Sequence, residues 1–180
     1  PIDIRKSDNQ IDDIINEDGQ ISGIGIHSQN LMLYLILYLK WSNIDWHCLL
    51  KQNWSGCDDM YPYTQDLIEL FADDWMSEID HLIGEECREW WEGLPSLITI
   101  YRGCEIDRTD GLCWTTSREV AVRFAKGHRG MKLIKPVIAQ CRVRKNEIFY
   151  ATNDREEFEI VVDTSVAKIT VEPFKESNIN

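Results

Sequence analysis

With 180 residues, of which 43% are hydrophobic, the chain is long enough to bury one core and too apolar to be disordered. Its 31 acidic residues exceed its 19 basic ones, and the resulting net charge of −12 disfavours a large nucleic-acid footprint. The longest apolar run, at 31–41, is shorter than the roughly 20 residues of a membrane span, so we predict a buried core helix there and no membrane contact.

The first half of the chain is predicted to be helical and is strongly acidic. Residues 1–95 contain 5 basic and 19 acidic residues, a net charge of −14, whereas residues 96–180 contain 14 and 12. Within 65–83, apolar residues recur every three or four positions and form one face of a helix. They are Leu67, Ile68, Phe71, Trp75, Ile79 and Leu82. Gly93 and Pro95 then interrupt the pattern.

From residue 96 the pattern becomes extended. Segments 97–101, 137–144, 158–162 and 166–172 are rich in β-branched residues and are predicted strands. Thr116 and Glu119 have the spacing of a capping box, which predicts a helix that Gly127 ends. We therefore expect one α+β domain over 1–180, with a helical part at 1–95 and a β-rich part at 96–180.

The cysteine pattern favours a cytoplasmic protein. Six cysteines occur without a CxxC pair or zinc-type spacing, which predicts reduced thiols and no metal site.

Three polar clusters lie at the ends of the predicted strands, where loops often carry function. The first, YRG at 101–103, combines a rigid fork of donors suited to phosphate with a glycine that lets a ligand approach the backbone. The second, WTT at 114–116, offers an aromatic face and hydroxyls, or is simply a helix cap beside a core tryptophan. Each of these signals is weak when it is taken alone.

The third cluster is a pair of acids, Glu157 and Glu159, on either side of Phe158. In a strand, the two-residue period would point both carboxylates to one side and Phe158 into the core. The alternative is an ordinary charge pair on an edge strand.

Basic residues concentrate in one stretch, because 102–145 contains 11 Lys or Arg and only 4 Asp or Glu. This stretch can bind an anion, or its charges can simply face water on a helix and on the outer side of a strand. The residues of the second interpretation are Arg118, Arg123, Lys126, Arg129, Arg142 and Arg144.

In this order, the three clusters resemble the mono-ADP-ribosyltransferases of the Arg-Ser-Glu type. That family has an aromatic-Arg-Gly strand, a Ser-Thr-Ser strand leading into a helix with A-x-x-F, and a Glu-x-Glu strand followed by aliphatic residues. The matching segments are YRG at 101–103, CWTTS at 113–117 with Ala121 and Phe124, and EFEIVV at 157–162. The resemblance covers about residues 97–173 and implies N-terminal helices packed on a mainly antiparallel β-sandwich.

The resemblance also implies a substrate, NAD, and a role for each matching residue. Glu159 would be the catalytic carboxylate, stabilising positive charge as nicotinamide departs, and Glu157 would orient or deprotonate the acceptor. Arg102 would hold the phosphates and ribose, and Gly103 would contact the nicotinamide amide through its backbone. The residues expected around NAD are Tyr101, Arg102, Gly103, Cys113, Trp114, Thr115, Thr116 and Phe124.

The Ser-Thr-Ser strand can be aligned in two registers. Alignment on the helix places Cys113, Trp114 and Thr115 at the three positions, whereas alignment on chemistry places Thr115, Thr116 and Ser117 there. In the first register a weak thiol partner, Cys113, would stand beside the catalytic glutamate, and Trp114 could stack on nicotinamide or fill the core. Thr115 belongs to both registers.

The resemblance leaves the acceptor open. A Glu-x-Glu pair suits transfer to arginine, the loop at 150–155 would read the target, and the basic stretch permits a nucleic-acid acceptor instead. We expect a bacterial toxin, including one of a toxin–antitoxin pair, or a phage effector, whose acidic leader masks the site or binds a basic partner. The alternatives are a non-catalytic binding module of the same fold, which Cys113 would favour, and an NAD glycohydrolase.

Overall fold

The computed structural model describes residues 54–57, 60–72, 83, 85–127 and 132–175. Its contacts divide the chain into two units, Pro1–Leu70 and Phe71–Asn180, and every described strand belongs to the second unit. The predicted helix at 31–41, and the predicted apolar positions Trp75, Ile79 and Leu82, lie outside the described residues. Among the helices in these ranges, none has the length and apolar character that crossing a bilayer requires.

The first described helix, α1, spans Thr64–Ala72 and follows the turn Tyr61–Tyr63. The Thr64 hydroxyl donates to the Tyr61 carbonyl at 2.8 Å, which ties the helix start to that turn. Leu67 and Phe71, four residues apart, are fully buried, so the predicted apolar face is confirmed over this part. The Phe71 ring stacks on the Phe149 ring, with centroids 4.9 Å apart.

The second helix, α2, spans Glu85–Gly93 and ends where the glycine of the sequence pattern predicts. The ammonium group of Lys145 caps it, donating to the Trp91 carbonyl and reaching the Leu94 carbonyl at 3.4 Å. The same ammonium lies 4.6 Å from the centroid of the Trp91 ring. A positive charge at this end also complements the helix dipole.

Six strands form one antiparallel sheet with the order β4-β5-β2-β1-β3-β6. Their bounds are Leu97–Glu105 for β1, Cys113–Thr115 for β2, Pro136–Arg144 for β3, Ile148–Thr152 for β4, Glu159–Val162 for β5 and Thr170–Pro173 for β6. The third helix, α3, spans Arg118–Ala125 between β2 and β3. The predicted α+β class is therefore confirmed.

Each face of the sheet is covered by a helix instead of by a second sheet. On one face, Cys87 and Trp91 of α2 pack into the main core with Ile98, Ile100 and Ile160 of the sheet. On the other face, a smaller cluster joins Ala121 and Ala125 of α3 to Ile138 of β3. The described strands thus make one open antiparallel sheet, whereas the resemblance implies a sandwich, and the described residues contain no second sheet.

The predicted strands match the observed ones to different degrees. β3 is confirmed almost residue for residue, and β1 runs four residues beyond the predicted 97–101. The predicted strand at 166–172 is wrong at its start: a turn occupies 165–167, closed by Ala167 N–H donating to the Thr164 carbonyl, and β6 begins only at Thr170. The strand β4 was not predicted.

Candidate active site

The central strands β1 and β2 are paired at a single position, Tyr101 opposite Thr115. Continued pairing would bring Gly103 opposite Cys113, but the register ends before that pair. We call the unpaired stretch between 102–105 of β1 and 113–114 of β2 the sheet opening. It separates the half-sheet β4-β5-β2 from the half-sheet β1-β3-β6.

The backbone of Gly103 faces the sheet opening. Ile106 N–H donates to the Lys135 carbonyl at 3.1 Å, so Ile106 directs its backbone groups towards the β3 side. Because backbone groups alternate between the two neighbouring strands, Gly103 directs its N–H and C=O towards β2. A ligand in the sheet opening can therefore hydrogen-bond to this backbone.

The side chain of Arg102 spans the sheet opening. Its Nε donates to the Arg108 carbonyl at 3.0 Å, and its Nη1 donates to the Cys113 carbonyl. Val162 N–H donates to the Leu112 carbonyl, so the backbone groups of Leu112 point towards β5. Because successive residues of a strand direct their backbone groups to opposite sides, the Cys113 carbonyl points towards β1. Arg102 thus supplies with its side chain the donor that the β1 backbone does not supply.

Gly111 makes room for this arginine. A Cβ atom at Gly111 would lie 2.7 Å from the Arg102 Cζ atom, and the Trp114 indole N–H donates to the Gly111 carbonyl at 2.7 Å. Gly111 is not among the predicted site residues. The one sequence signal for it is its place in the polar segment that follows the predicted strand 97–101.

On the other side of β2, Thr115 lies directly opposite Glu159 of β5. The Thr115 side chain is 5% exposed, donates to the Glu157 carbonyl at 2.7 Å and accepts the Ser117 N–H at 3.0 Å. One buried hydroxyl of β2 therefore ties the segment that carries Glu157 to the chain just before α3.

This pairing places Thr115, the residue shared by the two registers of the Ser-Thr-Ser strand, beside the predicted catalytic glutamate. Cys113 lies opposite Val161, two residues beyond Glu159, whereas Thr115 lies opposite Glu159 itself. The residue beside the predicted catalytic glutamate is therefore a hydroxyl residue, Thr115, and the weak thiol partner of the first register is not in that position.

Arg102 and Glu159 leave the sheet on opposite faces. Tyr101, Thr115 and Glu159 are in one row of paired residues, and directly paired residues share a face. Arg102, next along β1, points to the face of Trp114, which belongs to the main core. The two predicted site residues can contact one ligand only across the sheet opening.

The helix α3 presses closely on Gly103. A Cβ atom there would collide with the Ala121 carbonyl oxygen and lie 2.7 Å from the Ala125 nitrogen. Tyr101 packs against the same cluster. Gly103 is thus required so that α3 can pack on this face of the sheet. Its backbone N–H and C=O lie in the plane of the sheet and point into the sheet opening.

The start of α3 differs from the predicted capping box by one residue. The N-cap is Ser117, whose hydroxyl oxygen accepts the Val120 N–H at 3.3 Å, and not Thr116. Thr116 is instead engaged with the sheet, since its N–H donates to the Phe158 carbonyl at 3.1 Å. Hydrogen bonds from its own backbone N–H and from the Ser117 hydroxyl lower the pKa of Glu119. Gly127, with φ of 98°, follows the helix as predicted.

The segment before Glu159 is strained. Three non-glycine residues have positive φ: Arg155 at 60°, Glu156 at 57° and Phe158 at 49°. Each such residue costs roughly 1–2 kcal/mol, so the segment stores roughly 3–6 kcal/mol. Such strain persists only where the surroundings enforce it, and it is concentrated at functional sites.

The same strain overturns one prediction. Strand alternation was expected to hold from Glu157 to Glu159, but β5 begins only at Glu159 and Phe158 is left-handed, so the two-residue period does not apply to Glu157. Phe158 is half-buried and makes an edge contact with the Trp90 ring, with centroids 5.8 Å apart.

The remaining residues expected around NAD are dispersed. Trp114 is 2% exposed and bonded to Gly111, so the core interpretation holds and almost no surface is left for stacking. Phe124 is half-buried on α3. Cys104 beside Arg102 has its pKa raised by burial, and the guanidinium only partly offsets that effect.

Several of the basic residues face water, as the second interpretation of the basic stretch predicts. Arg142 and Arg144 are exposed on β3, and the exposed Arg118 is ion-paired with Glu172 of β6. In the described ranges, no group of three or more His, Cys, Asp or Glu is placed to bind a metal ion.

Comparisons with family models, with curated proteins and with solved structures return no match to this chain.

Proposed function

We propose that the protein is an NAD-dependent mono-ADP-ribosyltransferase, which moves ADP-ribose to a macromolecular acceptor and releases nicotinamide. The observation that carries the proposal is the row of paired residues Tyr101, Thr115 and Glu159. Arg102 and Gly103 follow Tyr101 along the sheet opening, and Glu159 lies one strand away from the opening, across β2, which supports one site built from the three clusters.

The chemistry of the site suits cleavage of the bond between nicotinamide and ribose. Positive charge builds on the ribose as nicotinamide leaves, and a carboxylate held in place beforehand stabilises that charge. Glu159 is half-buried at the first residue of β5, beside the buried Thr115. Its position on a paired strand limits the reorganisation needed during the reaction.

Arg102 suits the phosphates of the substrate, and Gly103 suits its nicotinamide. The guanidinium group has five N–H donors, and its bonds to the Arg108 and Cys113 carbonyls leave donors for a phosphate oxygen. The Gly103 backbone in the sheet opening suits an amide such as that of nicotinamide. NAD lying across the sheet opening would contact Arg102 on one face and Glu159 on the other.

Glu157 is the candidate to orient or deprotonate the acceptor, because its segment is tied to Thr115 and it is only half-buried. The acceptor is a protein side chain, with arginine suited to a pair of carboxylates, or a nucleic acid. A cytoplasmic toxin with an antitoxin partner, or a phage effector, is the biological setting that we propose for such an enzyme.

One observation bears on the two alternatives, the non-catalytic binding module and the NAD glycohydrolase. The binding-module interpretation rested on a thiol beside the catalytic glutamate, and the position opposite Glu159 carries Thr115 instead. An NAD glycohydrolase would use the same site with water as acceptor, so only the products distinguish it from a transferase.

The test is incubation of the purified protein with labelled NAD and a bacterial lysate, followed by separate protease and nuclease digestion. Glu159→Gln keeps the size of the side chain and removes its charge, and Glu92→Gln makes the same change at an exposed residue of α2. We expect wild type and Glu92→Gln to label a macromolecule and Glu159→Gln to lose at least about 100-fold in rate.

The products then assign the function. Label that protease removes identifies a protein acceptor, and label that nuclease removes identifies a nucleic acid. Free ADP-ribose without label identifies a glycohydrolase. If wild type releases no nicotinamide, the proposed activity is wrong and the binding module replaces it.

A further inference from the structure

We infer that Asn153 is a positioning residue for the two acids: it holds the strained turn at 153–158 so that Glu157 and Glu159 keep their orientation. The inference rests on the proposed function for its catalytic consequence, and on backbone geometry for the positioning itself. The resemblance implies only that the loop at 150–155 reads the acceptor, and it assigns no role to Asn153.

The turn connects two paired strand ends. Thr152 of β4 lies opposite Glu159 of β5, so residues 153–158 form the loop of a hairpin whose closing pair contains the predicted catalytic acid. A change in this loop moves Glu157 within it and Glu159 at its end. Three of its residues are left-handed, a conformation that non-glycine residues disfavour, so the loop needs hydrogen bonds that hold it in this shape.

Asn153 supplies three such contacts. Its backbone N–H donates to the Cys87 Sγ atom of α2 at 3.1 Å, and its carbonyl accepts the Glu156 N–H at 3.0 Å. Its side-chain Oδ1 accepts the Phe158 N–H at 3.2 Å. The last bond fixes the left-handed residue immediately before Glu159, and its donor is a backbone N–H, so the oxygen of the amide must face it.

The opposite side of the turn is held by β2 and α3. The Thr115 hydroxyl donates to the Glu157 carbonyl at 2.7 Å, and the Thr116 N–H donates to the Phe158 carbonyl at 3.1 Å. Arg123 of α3 reaches the Glu156 carbonyl at 3.4 Å. These contacts hold carbonyl groups, whereas the Asn153 side chain holds the N–H of Phe158, so they do not replace it.

Asparagine is suited to this position for a physical reason. Its short amide side chain can accept a hydrogen bond from a backbone N–H further along the chain, here five residues on, and so close a turn. Alanine would remove the acceptor and leave the Phe158 N–H without its bond, whereas aspartate would keep an acceptor oxygen at the same distance.

The experiment compares Asn153→Ala, Asn153→Asp and a control, Asn146→Ala, which truncates an exposed asparagine in another turn. Two quantities are measured. The first is hydrogen exchange of the Phe158 amide by NMR, together with the carboxyl chemical shifts of Glu157 and Glu159. The second is the kcat and KM for nicotinamide release.

We expect Asn153→Ala to speed Phe158 exchange by about 10-fold or more and to shift both carboxyl resonances, with the urea midpoint of global unfolding nearly unchanged. The kcat should fall by about 10-fold or more at similar KM for NAD, because a misaimed carboxylate affects the reaction more than binding. Asn153→Asp should restore the exchange protection and most of the kcat, and Asn146→Ala should match wild type.

Unchanged Phe158 exchange and carboxyl shifts in Asn153→Ala would overturn the inference, as would altered exchange with wild-type kcat. A loss of kcat that tracks a loss of global stability would also overturn it. If the wild type releases no nicotinamide, the proposed function fails, and the exchange and carboxyl shifts still decide whether Asn153 positions the two acids.

Discussion

The contact between Gly103 and α3 gives the sharpest quantitative prediction. In Gly103→Ala the new methyl group would overlap the Ala121 carbonyl oxygen and lie 2.7 Å from the Ala125 nitrogen. Both neighbours are backbone atoms of a helix, so neither can turn aside as a side chain can, and α3 must shift as a body. Overpacking costs typically about 1–3 kcal/mol, and we expect the upper end, about 3 kcal/mol.

The matched control is Gly93→Ala, because a Cβ atom at Gly93 meets nothing within 4 Å. At this helix end we expect a change within about 0.5 kcal/mol, or a small gain from the better helix propensity of alanine. Both variants would be measured by urea unfolding followed by far-UV circular dichroism. For a chain of this size, about 3 kcal/mol corresponds to a Tm lower by roughly 6–12 °C.

The same substitution should also affect function, because α3 begins three residues after Thr115 and a shift of the helix would move Thr115. We expect Gly103→Ala to weaken NAD binding together with stability, and Gly93→Ala to leave both unchanged. Equal stability of the two glycine variants would refute the packing argument, since it would mean that α3 does not approach Gly103 as closely as described.

Three further predictions concern the opening, the α2 cap and a buried thiol. Arg102→Lys should lower the free energy of unfolding by about 1–3 kcal/mol and reduce NAD turnover, because an ammonium group cannot bond to both carbonyls as the guanidinium fork does. Urea unfolding measures the first effect and nicotinamide release the second. Wild-type values in both assays would contradict this prediction. Lys145→Met should cost about 1–3 kcal/mol in the same unfolding assay through lost bonds at the end of α2, whereas Lys168→Met, at an exposed position, should cost almost nothing. Burial raises the pKa of the Cys141 thiol from 9.0 to about 11, so the folded protein keeps a proton that the unfolded chain loses. The contribution of this thiol to the free energy of unfolding is fully present below pH 9 and is lost as pH rises through about 11. Cys141→Ala should lack this part of the pH dependence. If the free energy of unfolding falls equally with pH above 9 in both proteins, the prediction is refuted.

Local sequence signals correctly predicted those elements in which local preference and tertiary contacts favour the same structure. In the second half of β3, buried residues alternate with exposed ones, as the sequence pattern predicts, and Gly127 follows α3 in a left-handed conformation that glycine adopts without strain. The capping residue was missed by one position because Thr115 and Thr116 are engaged by β5 and its turn, which leaves Ser117 to cap the helix. That competition is a tertiary effect.

The strand β4 and the turn at 153–158 could not be predicted for two other physical reasons. All five residues of β4 are buried, so the strand has no polar face and no alternation to reveal it. In the turn, left-handed residues such as Arg155 and Phe158 carry no glycine or asparagine signal, because the conformation is imposed by contacts from Asn153, Thr115 and α3. Local propensity therefore fails where the candidate site is most constrained.

The sheet opening explains why an arginine and a glycine stand together in β1. Beyond the pair of Tyr101 and Thr115, the Cys113 carbonyl points towards β1 and accepts a hydrogen bond from the long, charged fork of Arg102. The residue after that arginine must let α3 approach and must leave its backbone facing the opening, which only glycine permits without displacing the helix. A strand that stayed fully paired here would offer its own N–H in place of the arginine. The arginine and glycine of YRG therefore fit a sheet that opens at this point, and the opening provides the proposed ligand with access to backbone groups, a guanidinium and, on the opposite face, a carboxylate.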